Sequence, residues 1–128
     1  MIPILVRAFE ASAVIAAFKI AKFSDIAASS KIAAASVNTD PIVGVTGSIG
    51  AATIGDMADL IMVGIGLVTA GGTITAGALL TSDASGNAIV AVPTVGVFMS
   101  VIGKALAPAV SGDVFELLLN PDAFFRGA

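Results

Sequence analysis

The 128-residue chain contains no cysteine and no histidine. It therefore cannot form a disulfide, a zinc site of the His/Cys type, or a catalytic centre built on Ser-His-Asp or Cys-His. The missing cysteine leaves the redox compartment open. Tryptophan and tyrosine are also absent, so seven phenylalanines are the only aromatic anchors. Charge is scarce, at 12% of residues against about 25% in a typical soluble domain. The net charge is −3, and the six cations (Arg7, Lys19, Lys22, Lys31, Lys104, Arg126) are scattered. They cannot neutralise a row of phosphates, so no nucleic-acid partner of the usual kind is expected. What the chain has in quantity is apolar residues, 57% of the total. That content rules out intrinsic disorder, and the length fits one ordinary domain.

The mean hydropathy of +1.05 raises the question of a membrane. Leu60–Ser82 and Ala84–Gly103 carry no charge over 23 and 20 residues, and a spanning helix needs about 20 apolar residues. The first segment is interrupted by Gly64, Gly66, Gly71, Gly72 and Gly77 and by four threonines, residues that suit bends and strands. The second opens on Ala84-Ser85-Gly86-Asn87 and contains Pro93. Neither is flanked by a Lys/Arg cluster or an aromatic belt. The N-terminus lacks the basic start of a signal peptide, and Arg7 and Glu10 interrupt its apolar run. No membrane association is expected.

The chain echoes itself. Ser24-Asp25, Ile42-Val43-Gly44 and Gly55-Asp56 in the first half are matched by Ser82-Asp83, Val101-Ile102-Gly103 and Gly112-Asp113 in the second. The offsets of 58, 59 and 57 residues are nearly constant. Two units of about 58 residues, spanning about 16–62 and 72–119, fit a pseudo-symmetric single domain better than a solenoid, which needs three or more repeats. Residues 1–10 would be an N-terminal arm and 120–128 a C-terminal tail.

Turn chemistry assigns the fold class. In Asp83–Asn87 the Asp and Asn side chains can bond nearby backbone and Gly86 accepts positive φ. The cluster separates Ala78–Leu80 from Ala88–Val90, which read as hairpin arms. Gly112-Asp113 is a second tight turn feeding Val114–Leu119, and Asn120-Pro121 is expected to end that strand. Further turn signals stand at Gly44, Gly47, Gly50, Gly55-Asp56, Gly71-Gly72, Pro93 and Gly103. The alanine-rich stretch from Ala11 to Ala35 favours helix by propensity, but Phe18–Phe23 alternates with period two, as a half-buried strand does. An all-β fold follows, a small barrel or sandwich.

Candidate chemistry is sparse. The pairs Asp56/Asp59 and Asp113/Glu116 could in principle serve acid–base work or hold a hard cation. Spacing of three on a strand sends the two side chains to opposite faces. The expected roles are therefore turn-shaping for Asp56 and Asp113 and solvent exposure for Asp59 and Glu116. Gly64-Ile65-Gly66 lacks the third glycine of a dinucleotide loop, and Gly103-Lys104 lacks the rest of a phosphate loop. Lys104 aligns with Val45 and reads as an exposed strand residue. The methionines and most phenylalanines read as core or interface filler. No catalytic residue, cofactor site or metal site is expected, and the chain is not read as an enzyme.

Assembly is a different matter. With so few charges, much of the surface must be small apolar and hydroxyl residues, and edge strands lack charged guards. Obligate interfaces are more apolar than average surface, which suits this composition. The apolar N-terminal run and Phe124-Phe125 would be exposed on an isolated monomer unless they dock on the body or on a partner. Ile2, Ile4, Leu5, Phe124 and Phe125 are accordingly the candidate partner contacts.

The second half resembles a known family. Residues 70–90 (AGGTITAGALLTSDASGNAIV) followed by residues 102–119 (IGKALAPAVSGDVFELLL) are similar to small tailed-phage capsid decoration proteins, also called cement proteins. In these a glycine-rich segment and an Asp-containing turn precede an Ile-Gly closing segment. The first half enters only as a weaker echo, and the Ala-rich N-terminal portion and the Phe-Phe tail depart from the pattern. The resemblance implies a non-enzymatic β-barrel on the outer surface of a phage capsid. It also implies the major capsid protein as partner, homo-oligomers (commonly trimers), and a shell stabilised against internal pressure. The competing readings are a self-assembling shell or scaffold subunit of another system and a small integral membrane protein.

Overall fold

The computed structural model describes residues 2–27, 29–92 and 98–125. Nine strands and no helix occur among them: β1 (Ile2–Glu10), β2 (Ile20–Phe23), β3 (Ile32–Ala34), β4 (Ile42–Thr46), β5 (Met57–Thr69), β6 (Leu79–Ser82), β7 (Ala88–Val90), β8 (Phe98–Ala105) and β9 (Val114–Phe125). All ladders are antiparallel and join one curled sheet in the order β3-β2-β4-β5-β9-β8-β6-β7. Ile65 pairs with Ile2 on one side and Leu118 on the other, so β1 flanks β5 opposite β9. The fold is all-β, as the turn spacing predicts.

Taken from its two ends, the sheet runs β3-β2-β4-β5 and β7-β6-β8-β9, the same order twice. Smaller contacts repeat as well. The isolated bridges Ala11–Ile32 and Ile15–Ala51 recur as Ala70–Ala88 and Ile74–Ala109. The Gly55 N–H donates to Ala11 O, and Gly112 N–H to Ala70 O, at 2.8 and 2.9 Å. β1 takes part in the same pattern. β1 lies against the start of β5 as the end of β5 lies against β9: Arg7 pairs with Leu60, and Gly66 with Leu117. β5 runs for 13 residues because it closes the first unit and opens the second.

Each unit encloses a core. The first holds Phe9, Ala11, Ile15, Ile32 and Leu60, with Phe23 and Met62 packed against it. Phe9 and Phe23 meet edge to face, ring centroids 5.8 Å apart. The second holds their counterparts Val68, Ala70, Ile74, Ala88 and Leu117 together with Phe115 and Leu119. Four further residues complete this second core: Ile20, Ala35, Val45 and Ile61. They come from the outer face of the first unit. The units are thus stacked, one closing the other, and burying each large side chain there contributes roughly 1.5–3 kcal/mol.

Polar contacts lock the stack. Ile20 N–H donates to Gly86 O at 2.8 Å, and Ser100 donates to the backbone oxygens of Asn38 and Asp40 through N–H (2.7 Å) and Oγ (2.6 Å). Each unit therefore sends a turn onto the other. The buried Thr46 hydroxyl is satisfied within the first unit, accepting from Lys19 N–H at 2.9 Å and donating to Ala16 O at 2.8 Å.

Two expectations need correction. Gly44 and Gly103 are not turns: they lie inside β4 and β8, where a Cβ would run into the carbonyl oxygens of Ile61 and Leu118. Their glycines are required by the close approach of the neighbouring strand. The Asn120-Pro121 pair does not end its strand. β9 continues to Phe125, and two residues, Asn120 and Pro121, stand opposite the single Ile102 between the pairs Gly103–Leu119 and Val101–Asp122. Proline is tolerated at such a bulge because the ladder skips a rung there. Of the two roles open to the methionines, core or interface, Met57 is exposed and so does not belong to the core. The turn expected at Pro93 lies outside the described residues.

Candidate partner-binding surfaces

The carboxylates expected to shape turns do so. Asp56 Oδ2 accepts from Thr53 N–H at 3.0 Å and Asp113 Oδ2 from Val110 N–H at 3.1 Å, the same contact in each unit. Asp83 Oδ1 accepts from the N–H groups of Ser85 and Asn87 at 2.8 and 2.9 Å, and Gly86 takes φ +76°. Asp59 and Glu116 point outward from β5 and β9 and are exposed. Among the described residues, no three acidic, His or Cys side chains gather where a metal ion could bind. None of their helices is long and apolar enough to cross a membrane.

One carboxylate is perturbed. Burial pushes the Asp40 carboxyl up, but N–H donors from Ser36 and Val37 at 2.8 and 3.0 Å and the Lys22 ammonium at 3.4 Å outweigh it. The net result is a pKa below the ordinary aspartate value. The cluster fixes the turn before β4.

The surface is most informative where it is apolar. On the first unit Val6, Met57, Asp59 and Ile61 on β1 and β5 join the loop Gly47–Gly50 around an open hollow of about 260 Å³. Ile49 at its rim is 88% exposed and Met57 61%. β-Strand alternation explains the arrangement: Ala58 and Leu60 turn into the first core while Met57 and Asp59 turn out. The counterpart face of the second unit carries Leu79, Leu106, Val114 and Leu118, all more than a third exposed, around Lys104. Exposed apolar residues grouped like this mark interaction surfaces more often than scattered ones do.

The five candidate contacts fall in paired strands, not in loose arms. Ile2, Ile4 and Leu5 belong to β1, laddered to the chain's own β5, and Phe124 and Phe125 belong to β9, opposite Met99 and Phe98. Leu5 is about half exposed; the side chains of the other four lie outside the described residues. Sequence reasoning does not single out Ile49, Leu79 and Leu118, and it reads Met57 only as core or interface filler. The available signal was Val114–Leu119, where apolar residues occupy both faces of one strand, so that burying one face leaves Val114 and Leu118 outside.

The chain matches no known family and no curated protein. Among solved structures, it is similar to the N base of the head fiber protein gp8.5 of bacteriophage phi29. The TM-score is 0.66 and the identity 22%, over 91% of this chain and 93% of that one. The likeness covers nearly the whole of both chains and shows a shared fold.

Proposed function

We propose that this chain is a non-enzymatic structural protein of a phage particle, a decoration or fibre-base module seated on the outer surface of the capsid shell. The observation that carries this reading is the end-to-end likeness in fold to the phi29 head fiber base. The resemblance of the second half to capsid decoration proteins supports it, having been read from different features of the chain. Exposed Ile49 and Met57 on one unit and Leu118 on the other supply apolar contacts to the major capsid protein or to copies in a homo-oligomer, with a trimer suggested by the family resemblance. Each such contact is weak. Repetition around a symmetric shell raises overall attachment through effective concentration, without requiring any single tight site.

Quantitative mass spectrometry of purified particles from the source phage tests the reading. The expected result is this chain at a fixed ratio to the major capsid protein, removable without loss of the packaged genome under mild conditions. Recovery of the chain only as free assemblies or in membranes, and never with particles, overturns it in favour of a shell subunit of another system or a membrane protein.

A further inference from the structure

The stacking of the two units leaves two unmatched ends, and each carries a cation at a position where the internal junction has a valine or a glycine. At the junction, the outer face of the first unit (Ile20, Ala35, Val45, Ile61) closes the core of the second. Strand register gives the counterparts on the second unit: Ala21 and Leu80 pair with Gly44 and Gly103, and Val45 and Lys104 pair with Ile61 and Leu118. Ile20, Val45 and Ile61 thus correspond to Leu79, Lys104 and Leu118. Among the described residues, nothing covers the second set. Ile20 and Ile61 are 0% and 3% exposed, whereas Leu79 and Leu118 are 38% and 45% exposed. At the centre of this uncovered face, valine has become lysine.

The opposite end shows the complementary change. Within the second unit, Gly66 is the position against which the first unit's outer face rests: a Cβ there would come within 3.0 Å of Val45 Cγ2. Its counterpart in the first unit is Arg7, because Arg7 pairs with Leu60 as Gly66 pairs with Leu117. Arg7 and Phe9 share a face of β1, and the guanidinium lies over the Phe9 ring, 4.6 Å from its centroid. It covers the part of the first core where a preceding unit would otherwise sit. Phe23 and Met62 beside it are only half-buried.

We propose that Arg7 and Lys104 are paired caps that stop copies of this chain from stacking head to tail. Repetition of the internal junction between copies would set Lys104 of one against Arg7 of the next, in place of the Val45–Gly66 contact. Two cations brought together while being removed from water oppose association strongly. Without such caps the contact would be heterologous and would not close on itself, the geometry that produces open filaments. Charged residues facing otherwise adhesive β surfaces are a known protection against this. Glu116 does not alter the argument, since its counterpart Asp59 is exposed beside the internal junction and so occupies the rim of either contact.

A charge-reversal cycle on the full chain tests the proposal, with sedimentation velocity over a wide concentration range as the readout. Lys104→Glu should create an attraction to Arg7 and yield species heavier than wild type by whole multiples, growing with concentration and receding in high salt. The double variant Arg7→Glu/Lys104→Glu should return to the wild-type size, because both ends are then anionic. Circular dichroism identifies any variant that has lost its fold, and Lys104→Gln, which removes charge without reversing it, should fall between wild type and Lys104→Glu. The proposal is overturned if folded Lys104→Glu keeps the wild-type size at every concentration. It is equally overturned if the double variant assembles as much as the single one. Neither outcome depends on whether the chain is found in phage particles.

Discussion

Phe18 and Gly77 occupy the same turn in the two units, and both take positive φ, +58° and +85°. Each precedes the second strand of its unit, and each N–H donates to backbone at the end of the fourth or eighth strand, Phe18 to Gly47 O just past β4 at 3.3 Å and Gly77 to Ala105 O at the end of β8 at 2.8 Å. The turn demands a left-handed residue. The second unit meets the demand with glycine, whereas the first holds a phenylalanine there at a cost of about 1–2 kcal/mol in backbone strain.

That comparison sets the first prediction. Phe18→Gly relieves the strain and gives up a half-buried ring worth about 1 kcal/mol, so its stability should stay within about 1 kcal/mol of wild type. Phe9→Ala deletes a fully buried ring of the same chemistry and should cost about 3–5 kcal/mol. Urea denaturation of both variants checks this. A large loss in Phe18→Gly would show that the ring, not the turn, matters at position 18.

Local chemistry in the sequence was readable and tertiary contact was not. The Asp83–Asn87 turn was legible because Asp, Gly and Asn act on backbone within a few residues of themselves. β2 was legible because its alternation is local too. Gly44 and Gly103 look like turns in the sequence because the reason for each glycine is a carbonyl on another strand, which the neighbouring sequence does not announce. The same holds for Pro121, whose skipped rung depends on β8. For the surface, Ile61 and Leu118 are equivalent in sequence and opposite in exposure. What separates them is whether a further unit is stacked above, and the one sequence trace of that difference is valine at 45 against lysine at 104.

The Asp83 turn supports a contact between the units, which gives a second prediction. Its carboxylate holds the loop through Ser85 and Asn87 while Gly86 O receives Ile20 N–H. Asp83→Ala should cost about 1–3 kcal/mol, the usual consequence of removing a charged acceptor. It should also raise the hydrogen-exchange rate of the Ile20 amide more than those of the first core. Gly86→Ala should be at least comparably damaging, since φ is +76° and a Cβ would lie 3.2 Å from Ile20 O. Unchanged Ile20 exchange in Asp83→Ala would show that the turn is held by something other than its carboxylate.

Asp40 predicts a pH dependence with a defined sign. Its pKa in the folded chain lies below the ordinary aspartate value, so the charged carboxylate contributes stability that is fully present above that ordinary value. The contribution is lost as pH falls through the lower, folded-state value. Asp40→Asn, which removes the charge and the pairing with Lys22, should therefore lower stability by about 1 kcal/mol near neutral pH. The gap from wild type should close below pH 4. Thermal unfolding from pH 7 down to pH 2 measures it, and a gap that widens on acidification would reverse the assigned sign.

The exposed apolar rim separates folding from attachment. Ile49 and Met57 project from the first unit into solvent. Ile49→Asp removes almost no buried area and should change stability by no more than about 0.5 kcal/mol, and Met57→Asp, opposite Glu10 on β1, should cost no more than about 1 kcal/mol. Ile61→Ala, in the same hollow, empties a buried site between the units and should cost about 2–5 kcal/mol. If the rim meets the capsid protein or a neighbouring copy, both aspartates should abolish or sharply weaken retention on purified particles while the isolated chain stays folded. Ile61→Ala should show the converse at low temperature, retaining attachment with a lowered melting point. Deleting β1 would not serve, because losing the ladder to β5 confounds binding with folding. Full retention of the two aspartate variants on particles would move the contact to the second unit's face around Leu79 and Leu118, where Leu118→Asp provides the matching test.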